Sequence, residues 1–328
     1  MKKLIAFLLS FAILLTLSAC GTNEIQTPEV SGSPVTEDAQ PVARVDSLFG
    51  PTGMGMAKIK ADSSEFDVTF HSDPQEIVPL LVNGETDIAA LPLNLAANLY
   101  NKTNGNVQIL AINTLGVLHI IEKGNTVKSV KDLKGKKIYA TGQGSTAEYV
   151  LNFILESNGI DPEKDVEIEY RSAHPEVASM AIGNKIELAI LPEPFVSKVL
   201  SANPDFREAL DLTDEWAKVS KSELAMGCVV IRKDFADKNP EITDKFMKLN
   251  KESVDFINSS PEAGKLLQSL GFFDSEVLAA KTIPGCNIVF TDGEEMVKSA
   301  RENFEILFKA NPASIGGKLP DESIFRIS

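Results

Sequence analysis

A chain of 328 residues, 43% hydrophobic and 24% charged, is long enough for two cores and too mixed for a disordered or collagen-like protein. Its 46 acidic against 32 basic side chains give a formal charge of −14 with no basic patch, which argues against nucleic acid as a partner. The histidines, His71, His119 and His174, are scattered without metal-ligand spacing, so neither a metal nor another cofactor is expected.

Residues 1–19 read as a signal peptide: Lys2 and Lys3 precede an apolar run from Leu4 to Leu17, too short for a convincing membrane span. Leu17-Ser-Ala-Cys20 resembles a bacterial lipobox, which implies cleavage before Cys20 and its acylation. Residues 20–41, rich in Thr, Pro, Glu, Ser and Gly, are then a flexible tether with little to bury. Together they predict a lipid-anchored protein at the extracytoplasmic face of the cell membrane, on a cell surface or in a periplasm.

The body opens with a strand at 42–48, then Gly50-Pro-Thr-Gly-Met-Gly-Met56 and a helix to about Ala61. Residues 66–70 alternate as a second strand. Asp73-Pro74 opens a helix, with Asp as its N-cap, that stops at Asn83-Gly84. Asp87-Ile-Ala-Ala-Leu91 is a short buried strand, and Pro92-Leu-Asn-Leu95 begins the next helix. Two further strands are expected at 107–114 and 117–121.

After a charged connection at 127–135 the pattern restarts. Ile138 to Ala140 is a strand, Thr141-Gly-Gln-Gly-Ser145 a glycine turn, and a helix runs to about Ser157. Strand 166–170, helix 175–182, strand 187–191 and the helix start Pro192-Glu-Pro-Phe195 follow. Residues 87–92 fall on 187–192 at a constant offset of one hundred, as Phe70 does on Tyr170 and Glu76 on Glu176. Thr-Gly-x-Gly recurs at Thr52 and Thr141. This predicts an α/β body of two similar lobes, each a mostly parallel sheet flanked by helices. Residues 224–231 form one more buried strand, and only helices are expected beyond it. The chain therefore crosses back: lobe one is 42–125 plus 222–328, and lobe two is 126–221.

In such lobes ligands gather beyond the carboxyl ends of strands, at loops leading into helices. Four loops qualify, carrying Thr52, Gly53 and Met54; Asn94; Gln143, Gly144, Ser145 and Thr146; and Glu193. Asn113 and Thr114 end another strand. Hydroxyls and amides donate and accept, and helix starts add free N–H groups and a positive dipole end. Each residue also has a plainer role. Ser145, with Glu148 at capping-box spacing, and Asn94 would serve as helix caps, Met54 and Met56 as core, and Glu193 as a first-turn carboxylate. Trp216 either stacks on a flat ligand or packs at the hinge, and Cys228 and Cys286 either pair in an oxidising compartment or, the favoured reading, stay buried free thiols. The chain has no Gly-x-Ser-x-Gly elbow, P-loop or dinucleotide fingerprint, so it is built to hold a solute and is not expected to be an enzyme.

The lipobox, the turn into Ser145-Thr-x-Glu-Tyr149, Gly84-Glu-x-Asp-Ile-Ala89, Glu193-Pro-Phe195 and Val230-Ile-Arg-Lys-Asp-Phe235 resemble substrate-binding lipoproteins of ABC importers. The branch is the nitrate, sulfonate, taurine and thiamine-pyrimidine one (SsuA/THI5-like, NMT1-like). The resemblance covers about residues 44–310. It implies a two-lobed periplasmic-binding-protein type II fold, a cleft between the lobes that closes on a small solute, and delivery by a monomer to a membrane permease. Carried over by position, it implies solute contacts at Thr52, Gly53, Asn94, Ser145, Thr146 and Glu193. The loops offer Glu193 and no cation, with Arg171 and His174 nearest, which favours a pyrimidine-like nitrogen heterocycle over sulfonate, taurine or nitrate. Two other classes remain, a pyrimidine-synthase-like enzyme and a surface sensor domain. The scattered histidines and the export signal weigh against the enzyme.

Overall fold

Val107–Thr114 is buried at every position, as a strand covered on both faces must be. It belongs to a computed structural model that describes residues 42–327. The expected signal peptide and tether, with Cys20, lie outside that range. In chain order the strands are β1 (Ala43–Leu48), β2 (Phe66–His71), β3 (Ile88–Pro92), β4 (Val107–Thr114), β5 (Leu118–Lys123), β6 (Lys137–Ala140), β7 (Glu167–Tyr170), β8 (Leu188–Pro192), β9 (Phe206–Asp211), β10 (Gly227–Arg232) and β11 (Ile288–Thr291). Among the described residues no helix is long and apolar enough to cross a membrane.

The strands form two sheets, ordered β2-β1-β3-β10-β4-β11 and β7-β6-β8-β5-β9. In the first, β1 to β4 run one way and β10 and β11 the other. In the second, only β5 opposes the rest. The expected mostly parallel sheets are thus co-directional in the main, but the strand that carries each crossing pairs antiparallel on both sides. The orders superpose element by element, β6 on β1, β7 on β2, β8 on β3, β5 on β10 and β9 on β4. This is the two-lobed α/β architecture that the internal repeat predicts.

Three sequence expectations need correction. β5 belongs to the second sheet, so the first crossing lies at 115–117 and not near 125. An apolar run such as Val117-Leu-His-Ile-Ile121 suits either sheet and carries no local mark of its partner. β9 was not foreseen, because Phe206-Arg-Glu-Ala-Leu-Asp211 has three charges and only two buried positions, as an edge strand can. β11 interrupts the supposed helical tail with four residues at the other sheet's edge.

Each sheet is packed on both faces. Ile77, Leu91, Ile109 and Phe304 fill one side of the first, and Val45, Phe66, Ile88 and Phe246 the other. Ile120, Ile138, Val150 and Trp216 lie on one side of the second, and Ile121, Val177, Ala189 and Val199 on the other. Full burial of side chains of this size stabilises by about 1.5–3 kcal/mol each. The two crossings touch: a Cβ on Gly116 would lie 2.2 Å from Thr213 Oγ1 and 3.0 Å from Leu224 Cδ2. Trp216 is buried, packs on Phe153 and donates from Nε1 to Ser222 O at 2.8 Å, which is the hinge role and not the rim role. Cys228 and Cys286 are free and buried, and burial pushes both thiols up.

Candidate functional site

On the first lobe, β1, β3 and β4 end at the edge where β10 begins, with Gly227 opposite both Pro92 and Thr114. The one-turn helix Pro51–Met54 folds back against β1 so closely that a Cβ on Gly53 would stand 2.0 Å from Leu48 O. Only glycine allows that approach. The fold-back delivers Thr52 to Gly227: the position of an added Gly227 Cβ is 3.2 Å from Thr52 Oγ1, 3.2 Å from Thr114 Oγ1 and 2.9 Å from Asn113 Oδ1. Asn113 Nδ2 donates to Thr52 O at 2.8 Å, and Thr114 Oγ1 donates to Asn113 Oδ1 at 3.2 Å. Asn94 sits in the first turn of the helix Leu93–Lys102, whose start is tied beside Gly227 by Leu93 N donating to Met226 O at 3.0 Å.

On the second lobe, Gly142 and Gly144 both take φ of 76°, which an L side chain would resist. The turn feeds the helix Thr146–Ser157. Ser145 caps it, accepting from Ala147 N at 3.3 Å and donating to Gly142 O at 2.5 Å. Glu148 accepts from Gly144 N, one residue ahead of the capping-box position. Thr146 is the residue that crosses. Its Oγ1 donates to Asn94 Oδ1 at 2.9 Å, and both residues are buried. Two helix starts from opposite lobes thereby face one another.

Thr52, Asn94, Thr114 and Thr146 are thus gathered along one edge, with the Gly53 backbone behind Thr52. The remaining candidates stand apart. Met54 is wholly buried with Val254, Ile257 and Leu267, a core residue rather than a contact. Ser145 is spent on its own turn, and Gln143 and Gly144 are exposed. Glu193 is 8% exposed, but its oxygens accept from Ser197 N at 3.0 Å and Ser197 Oγ at 2.8 Å, capping the next helix start. Its side chain lies against Gly285 of the first lobe, 3.5 Å from where a Cβ would be. This removes the ground on which a nitrogen heterocycle was preferred. Sequence reasoning passed over Gly227; a lone glycine opening a buried strand was the available signal.

The two nearest cations are also engaged. Arg171 pairs with Glu169 and, at 3.9 Å, with Glu176. His174 packs 5.4 Å from the Phe195 ring and hydrogen-bonds through Nδ1 to Thr141 Oγ1. Burial lowers its pKa to about 4, so it is neutral at pH 7. Away from the crossings the lobes also meet through Asn311 Nδ2, which donates to Tyr149 Oη at 3.4 Å, and through Lys198 and Asp274 at 3.0 Å.

Residues 60–279 match the family described as ABC transporter, phosphonate, periplasmic substrate-binding protein. The chain belongs to that family. A Brucella abortus binding protein is 26% identical over 194 residues, 52% of this chain, and the match spans only 58% of that relative's length. An ABC transporter structure from Parabacteroides distasonis shares the fold with a TM-score of 0.74 at 24% identity, covering 87% of this chain and 98% of that one. The alkanesulfonate-binding protein SsuA of Xanthomonas axonopodis pv. citri, bound to MOPS, does so with a TM-score of 0.66 at 15% identity, covering 88% and 100%. Membership and topology together make this a periplasmic-binding-protein fold, as the resemblance implied.

Proposed function

We propose that the chain is the solute-capturing component of an ABC importer. In this role its lobes close on a small solute along the edge that holds Thr52, Asn94, Thr114 and Thr146, and it hands the solute to a membrane permease. The observation that carries this is the Asn94–Thr146 hydrogen bond between the lobes. Two polar side chains buried against each other suit a surface that must be wetted when the lobes part and satisfied when they meet. The lipobox at Leu17-Ser-Ala-Cys20 supports an acylated anchor outside the cytoplasmic membrane.

The solute we infer is a small organic oxyanion of the phosphonate or sulfonate class. The Thr52 hydroxyl, the second Nδ2 hydrogen of Asn113, the Thr146 hydroxyl that is released from Asn94 when the lobes part, and the positive ends of two helix starts form a neutral donor set. Such a set holds an oxyanion by hydrogen bonds and dipoles without a paired cation. The formal charge of −14 slows long-range approach, yet at physiological salt that field is screened beyond about 8 Å, leaving local donors to decide.

Calorimetry with methylphosphonate, an alkanesulfonate and an aminopyrimidine, paired with small-angle scattering, tests both levels. Saturable heat with either oxyanion, together with compaction, is the expected result. Heat from the pyrimidine alone overturns the solute class, and heat with no change in radius of gyration overturns capture by lobe closure.

A further inference from the structure

Away from that edge, the second sheet holds a buried histidine that solute capture does not use. His119 on β5 is 8% exposed, and neither of its ring nitrogens has a hydrogen-bond partner among the described residues. Its Nδ1 lies 3.3 Å from Glu208 Oε1, out of line for a hydrogen bond. Asp211 is its cross-strand neighbour on β9. One ligand atom from each of His119, Glu208 and Asp211 lies within 4.8 Å of the others. The spacing of histidines along the chain gave no hint of this, because the three donors meet only through the β5–β9 register.

We propose that His119, Glu208 and Asp211 bind a zinc-class divalent cation. An imidazole nitrogen with its lone pair free is a metal ligand, and here both ring nitrogens are buried without a partner beside two carboxylates. A cation satisfies the lone pair and screens the carboxylates from each other. One nitrogen and two carboxylate oxygens make the donor set of zinc and its first-row neighbours. Calcium takes six to eight oxygens and is poorly served by it. The surroundings are ordered for the task. Asp211 Oδ1 is held by Thr213 N at 2.7 Å, which fixes the carboxylate and leaves its second oxygen for a metal. The Glu208 side chain is 45% exposed, which opens the site to solvent.

The position gives the cation a mechanical consequence. β5 follows the first crossing directly, and Asp211 starts the helix Leu212–Val219 that feeds the second. A cation would clasp the two strands next to both hinges.

The test uses the full chain, stripped with EDTA and titrated with zinc chloride in a calorimeter. One equivalent bound per chain is expected. His119→Gln and Glu208→Gln should each weaken binding by more than the about 10–100-fold that losing a second-shell partner costs. Glu208 is exposed, so its variant keeps the fold, and circular dichroism checks both. His71→Gln, in the separate Asp46 and Glu76 cluster, should leave binding unchanged. Cobalt(II) in place of zinc should show visible d–d absorption that His119→Gln abolishes. Failure to bind zinc saturably, binding that survives both His119→Gln and Glu208→Gln, or binding lost only in His71→Gln overturns the site and leaves a packed, unliganded histidine.

Discussion

Asn94 and Thr146 stand on helices of opposite lobes, and the hydrogen bond of 2.9 Å between them is buried from both sides. Thr146→Val keeps the shape and removes the donor, leaving Asn94 Oδ1 unsatisfied whenever the lobes meet. That costs about 1–3 kcal/mol of the closed form. The expected outcome is a larger radius of gyration for the solute-free protein and about tenfold or greater loss of solute affinity, with little change in the midpoint of urea unfolding.

Two glycines at the same edge should separate stability from binding. Gly53→Ala drives a methyl against the backbone oxygen of Leu48 at 2.0 Å, which the turn cannot relieve without leaving β1. A loss of at least about 1–3 kcal/mol in chemical denaturation is expected. Gly227→Ala instead meets the side-chain ends of Asn113, Thr114 and Thr52 at 2.9–3.2 Å, which can turn aside. Its unfolding midpoint should barely move while solute heat disappears.

His174 should make stability fall in acid. Its folded pKa is about 4 against an ordinary 6.5, because burial penalises the imidazolium. Between those values the unfolded chain binds a proton that the folded one does not. Its contribution is therefore whole above pH 6.5 and is lost as pH falls to 4, to a total of about 3 kcal/mol at most. His174→Gln should flatten the melting temperature across that window. His71 acts in the opposite direction and outside it. Burial lowers its pKa, but the Asp46 and Glu76 carboxylates outweigh that and leave it raised, so its stabilisation is lost above pH 6.5.

Trp216→Phe should weaken the hinge. The substitution removes the donor to Ser222 O, a contact made inside the second crossing. A destabilisation of about 1–3 kcal/mol is expected from thermal melts. Because Trp216 is the single tryptophan, the parent's emission should be blue-shifted in the folded state and absent from the variant.

Much of the molecule was legible before any coordinates. The offset of one hundred between Asp87–Pro92 and Glu187–Pro192 corresponds to β3 and β8, which hold the same place in their sheets. Asp73 as N-cap and Gly84 at φ of 78° as the following stop are where the residue types put them. The edge strands β9 and β11 escaped notice because a half-exposed strand has little apolar pattern to show. Of the site residues, Thr52, Asn94, Thr114 and Thr146 converge, whereas Met54 turns into the core and Glu193 back upon Ser197.

The sequence by itself determined the two-lobed repeat, the helix starts and the polar residues they carry, since caps, glycine turns and apolar alternation act over a few neighbouring residues. Only the tertiary structure decided that β5 joins the second sheet, that Thr146 meets Asn94 across 52 positions, and that His119 gathers Glu208 and Asp211. Those outcomes depend on which surfaces are buried against which. Burial is non-directional, so the local order of residues shows that a face is buried but not which surface covers it.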